Sequence, residues 1–220
     1  MSESLLGRKL VAWWILVGAL SVLAYSASFA DGDPPDDVLY RYDSAILGVV
    51  LYGVIAGILL AIASGLDLRK AFGLRRPASW PAAIGWAFGL LVAFFAIAAA
   101  LEPVLGGGEE QGLDPSGWRS DRAFAFVLNA IVIAGVAPVV EELMYRGIGF
   151  TLLAPLGITG AIVVIGIAFA LSHGLIRAFP VLFLIGAGLA FLRWRTGSIY
   201  PAIVLHACFN GIGLLAGLAN

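Results

Sequence analysis

Charge is scarce in this chain of 220 residues: Asp, Glu, Lys and Arg make up 12%, against 61% hydrophobic residues. That balance, with a mean hydropathy of +0.99, excludes an ordinary soluble domain, which carries about twice that charge. Cysteine is nearly missing. Cys208 stands alone, so an intrachain disulfide and a cysteine metal cluster are both excluded. It lies close to His206 in sequence but about 200° round a helix from it, so it is expected as a packing residue rather than a nucleophile. The net charge of −1 gives no reason to expect a nucleic acid or an acidic lipid as partner. Internal repeats and low-complexity tracts are absent too.

What remains is apolar runs, each near the ~20 residues that cross a bilayer. They cover about residues 10–29, 44–64, 80–101, 123–153, 161–176, 179–194 and 198–218. The expected fold is all-α: a polytopic membrane bundle of about seven spans, with residues 1–121 as N-terminal helices and loops and 122–220 as a second unit. The first run follows Arg8-Lys9 and ends near Ser28-Phe29-Ala30, as a secretory signal would. Its apolar core exceeds the usual 7–15 residues, so a retained span is expected. Residues 31–43 and 102–121 read as acidic loops. The 123–153 run is too long for one straight span, which predicts tilt or a kink at Pro138. Trp13, Trp14, Trp80, Trp118, Trp194 and Tyr200 fall near run ends, as interfacial aromatics do. Seven spans put Arg8, Lys9, Arg69, Lys70, Arg75, Arg76, Arg193 and Arg195 on one side, which predicts a cell-membrane protein with a cytoplasmic N-terminus.

Within the runs the ionisable residues are few: Glu141, Glu142, Arg146, His173 and His206. Glu142 and Arg146 are four apart on one helical stripe, with the acid on the favourable N-terminal side. Glu141 points about 100° away and is left as a spare carboxylate. Charge at bilayer depth costs roughly 2.5–3.5 kcal/mol and therefore faces a partner or a cavity. Gly157 marks a hairpin tip, with Glu141 sixteen residues before it and His173 sixteen after, so the two reach equal depth. His206 and Asn210 share a helix face nine and thirteen residues beyond the next turn at Gly197, about 14–20 Å deep.

This set suits acyl hydrolysis by water. A carboxylate beside an imidazole takes a proton from water and returns it to a leaving amine, while an imidazole and an amide N–H hold the oxyanion. Ser172 adjoins His173 but points elsewhere, and reads as a backbone-bonded helix serine. Other readings use the same residues. Each alone is more often structural: an ion pair, an interhelical histidine, an asparagine bridging two helices. Two histidines and a glutamate are also ligand types for a divalent metal such as zinc, at Glu141, His173 and His206, though not in the His-Glu-x-x-His pattern. A proton relay in a transporter is a further alternative.

Three motifs stand in order: Glu141-Glu142-Leu143-Met144-Tyr145-Arg146, Phe169-Ala170-Leu171-Ser172-His173, and His206-Ala207-Cys208-Phe209-Asn210. They resemble those of the CAAX prenyl proteases and bacteriocin-processing enzymes, the intramembrane glutamic proteases. Arg195-Thr196-Gly197-Ser198 before the third motif and the Phe72–Pro77 loop are similar as well. The resemblance implies a catalytic core of four C-terminal helices within residues 122–220. It further implies that Glu141 and His173 activate the water and that His206 and Asn210 stabilise the oxyanion. Glu142, Arg146 and Phe169 would then support the site. It implies no cofactor, and a membrane-associated peptide or protein as substrate. The competing expectation is a non-catalytic immunity or scaffold protein on the same fold. Nothing in the residues specifies an oligomeric state.

Overall fold

The computed structural model describes residues 3–29, 37–107, 110 and 117–218. Among these residues there is no strand, and seven helices are long and apolar enough to cross a membrane. The chain is an all-α polytopic membrane bundle.

Its helices are α1 (Glu3–Ser28), α2 (Tyr42–Ile62), the short α3 (Leu68–Phe72), α4 (Trp80–Leu105), α5 (Ser120–Leu152), α6 (Gly157–Leu171), α7 (Phe179–Thr196) and α8 (Tyr200–Gly217). The ends follow local chemistry. Asp67 caps α3 by accepting from the Lys70 N–H at 3.2 Å, and Ser79 caps α4 by accepting from Ala82 at 3.4 Å. Lys9, buried rather than solvated in the basic flank, donates to the Ile62 and Ser64 carbonyls at 2.6 and 2.7 Å. It thereby fills the acceptors left open at the end of α2 and places a cation at that negative pole.

Helix α5 solves its excess length by changing winding. Two π-helical stretches, Val132–Val136 and Leu143–Gly149, flank the α-helical Ala137–Glu142 segment that opens with Pro138. Proline lacks an N–H and its ring crowds the carbonyl four residues back, and widening the preceding turn relieves both. Glu141 and Glu142 therefore sit between two irregular turns. The expected disturbance at Pro138 is present, in the form of a change of helical register.

Helices α5 to α8 pack together, with α6 against α7 the most extensive pairing, while α2 and α4 flank them. Gly166 and Gly186 let α6 and α7 approach. A Cβ on Gly186 would lie 3.0 Å from the Gly166 Cα and 3.1 Å from Phe169. In lipid, where every helix face is apolar, such close backbone contact replaces hydrophobic exclusion as the packing force. The Glu110 carboxylate accepts from the Ile176, Arg177 and Ala178 N–H groups at 2.7, 2.7 and 3.0 Å, which pins the turn after α6.

Two side chains depart from the sequence expectations. Trp13 is wholly buried rather than interfacial, and its indole N–H donates to the Met144 carbonyl at 2.9 Å inside the second π stretch. Cys208 is exposed on the outer face of α8 rather than packed inside. Of the two acidic loops, residues 31–36, 108–109 and 111–116 lie outside the described residues, including Pro34-Pro35 and Asp114-Pro115.

Candidate active site

The Glu142–Arg146 spacing is realised as a fully buried ion pair, with Arg146 Nη1 donating to Glu142 Oε1 at 2.8 Å. Arg146 reaches further than the stripe requires. Its Nη2 donates to the Gly186 carbonyl at 2.8 Å, and its guanidinium lies 4.6 Å from the centre of the Phe169 ring. One arginine thus ties α5 to α7 by a hydrogen bond and to α6 by a cation–π contact. Glu142 Oε1 also accepts from His206 Nδ1 at 3.0 Å, which links α5 to α8.

That last bond determines the histidine's tautomer. An ionised carboxylate only accepts, so Nδ1 of His206 carries hydrogen and Nε2 faces Glu141 Oε2 at 3.8 Å. His173 is held in the same way, its Nδ1 at 2.6 Å from the Phe169 carbonyl. In the neutral form both Nε2 atoms therefore present lone pairs. An oxyanion-holding role for either ring requires the second proton. Phe169 lies against both, tilted to His173 and edge-on to His206, with ring centres 4.4 Å and 5.7 Å away.

A cavity of about 430 Å³ joins these groups, lined by Tyr52, Glu141, His173, His206 and Asn210 together with apolar side chains. The four residues expected from three separate helices thus share one wall. Glu142 and Arg146 do not line it; they stand behind it. Ser172 does not line it either: its hydroxyl bonds to the Phe169 carbonyl at 2.9 Å and to the Tyr145 hydroxyl, in the turn just past α6. Among the described residues, no three His, Cys, Asp or Glu side chains are placed to hold one metal ion. In particular, Nδ1 of each histidine is already engaged and only the Nε2 atoms remain for Glu141 to share.

Asn210 occupies a position that Pro138 creates. In the first π stretch the Ala137 N–H bonds to the Val132 carbonyl, five residues back. The next such bond would run from residue 138 to Ile133, and proline has no N–H to make it. The Asn210 amide supplies that bond instead, at 3.0 Å from the Ile133 carbonyl. One amide N–H is thereby used in holding α8 to α5, and the second is left for the cavity.

Tyr52 is the site residue that sequence reasoning missed. Its hydroxyl donates to Glu141 Oε1 at 2.7 Å from the middle of α2. The carboxylate identified as spare is therefore anchored through one oxygen, with Oε2 turned towards His206 Nε2. The only available signal was a lone phenol in the apolar interior of the second span, and no spacing rule ties α2 to α5.

Residues 123–212 match the sequence profile of the Rce1-like family, described as type II CAAX prenyl endopeptidases. Over those residues the chain is similar to that family. The Rce1-like stretch contains all three motifs and ends just after Asn210, whereas Tyr52 lies outside it. No curated protein and no solved structure matches the chain. Seven helices long and apolar enough to cross a membrane make this a multi-pass membrane protein whose C-terminal part is similar to a protease family.

Proposed function

We propose that the chain is an intramembrane endopeptidase that cleaves a peptide bond of a membrane-associated protein or peptide by direct attack of water. The observation that carries this reading is Glu141: a carboxylate anchored by Tyr52 that lines one cavity with both histidines and lies 3.8 Å from His206 Nε2. A carboxylate held that way accepts the proton of a water molecule, and His173 Nε2 lies on the same wall to share it. As the tetrahedral intermediate forms, protonated His206 and the free N–H of Asn210 donate to its oxyanion. The proton held by Glu141 and His173 then passes to the leaving amine. Arg146 and Phe169 act indirectly, through Glu142 and the ring stack. In this reading the chemistry is complete without a metal or other cofactor, and the basic end of the bundle faces the cytoplasm.

The test compares purified wild type with Glu141→Gln in lipid, with and without chelator, on a farnesylated CAAX peptide and on an unbiased pool of membrane peptides. Cleavage by the wild type alone that survives chelator is the expected result, and the cut sites would define the substrate. Cleavage abolished by chelator would reassign the histidines as metal ligands. No cleavage by either protein, together with a cellular immunity phenotype that Glu141→Gln retains, would favour a non-catalytic scaffold.

A further inference from the structure

The turn after α3, with Gly73 and Arg75, docks on the end of α7 and the turn that follows it, with Arg193 and Gly197. The Ile199 N–H donates to the Gly73 carbonyl at 3.2 Å, and Arg75 Nε donates to the Gly197 carbonyl at 2.5 Å. Both glycines adopt left-handed φ of +67°, closed to most side chains. A Cβ on Gly73 would fall 2.3 Å from Arg193 Nη2, and one on Gly197 would fall 3.0 Å from Arg75 Nη2. The bare backbone at Gly73 is thus the surface against which the Arg193 guanidinium lies, and that at Gly197 the surface for Arg75.

Arg193 is only 7% exposed, and its Nε has no hydrogen-bond partner. Among the described residues it makes no ion pair; it lies 5.6 Å from the Phe150 ring centre, and the charge acting on it is a second cation, Arg75. Asp67, at the start of α3, is occupied as its cap and faces Lys70 at 3.9 Å. The end of α7 and the Phe150 face favour one cation here. They do not account for a second guanidinium, that of Arg75, at the same docked turns, where neither arginine has a carboxylate partner among the described residues. Such a pair is a fork-shaped receptor for an oxyanion. Its level is that of the bilayer surface, since Trp80 and Trp194 are 44% and 41% exposed at the adjoining helix ends. The overall charge of −1 conceals this local concentration of cations.

We propose that Arg75 and Arg193 form a binding site for the phosphate of an anionic lipid headgroup. The site is separate from the cavity around Glu141 and holds α3, α7 and α8 together at the basic end. Native mass spectrometry of the full chain, titrated with phosphatidylglycerol or phosphatidylcholine, tests it. The wild type should retain phosphatidylglycerol preferentially. Arg75→Gln should weaken that retention about tenfold, the loss of one charge-assisted contact, while Arg69→Gln on the exposed face of α3 should leave it nearly unchanged. Arg75 is exposed, so its variant probes the site without the folding risk of Arg193→Gln. Equal retention of the two lipids, or equal loss in Arg69→Gln, would overturn the site. Stabilisation of the wild type by inorganic phosphate to the same extent as by phosphatidylglycerol would overturn the lipid assignment in favour of a soluble anion.

Discussion

Glu141 and Glu142 are adjacent residues with opposite surroundings. Glu142 is buried with a guanidinium and an imidazole on the same oxygen, whereas Glu141 faces a cavity with a phenol on one oxygen. Their different roles follow from these neighbours. Arg146→Ala strands Glu142 and removes the tie to Gly186, so it should destabilise the fold by about 3–5 kcal/mol. Thermal unfolding in detergent should therefore show a much lower midpoint for Arg146→Ala than for Glu141→Gln; equal midpoints would count against the division of roles. Tyr52→Phe keeps the ring and removes only the bond to Glu141. Misorienting the base should lower kcat by about tenfold to a hundredfold with KM little changed. A change confined to KM would make Tyr52 a substrate contact instead.

At the scale of the helix, α5 is the decisive element, and its chemistry depends on where its hydrogen-bond register fails. Pro138 removes the N–H that would complete the first π stretch, and Asn210 takes the vacated acceptor. Pro138→Ala restores a competing backbone donor. The expected outcome is a helix of equal or greater stability with lower turnover, because Asn210 loses the bond that aims it; a turnover equal to wild type would show that Asn210 is positioned by α8 alone. The second π stretch receives Trp13 in a related way, through the Met144 carbonyl. Both irregular turns are thus stitched to other helices by side chains.

For the whole molecule, the expected division at residue 121 meets a structure in which the first unit reaches into the site. Tyr52 from α2 holds Glu141, and Trp13 from α1 holds α5. Residues 122–220 expressed alone should therefore be inactive, and co-expression with 1–121 should restore cleavage in the membrane. Full activity of the C-terminal segment by itself would make the N-terminal helices dispensable to the chemistry.

The sequence by itself determined whatever depends on local spacing. Hydropathy located seven spans, because each must bury its own backbone in lipid. The four-residue interval paired Glu142 with Arg146, and helical rise from Gly157 and Gly197 brought Glu141, His173, His206 and Asn210 to a common depth, where the cavity joins them. Only the tertiary structure decided which face of each apolar helix turns inward. In lipid that face carries no hydrophobic signature, so Trp13 and Cys208 were placed on the wrong sides. The same limit hid Tyr52, which is 89 residues from Glu141, and the packing of Arg193 on Gly73 and of Arg75 on Gly197. Those contacts depend on how the helices rotate and dock, which spacing along a single helix does not encode.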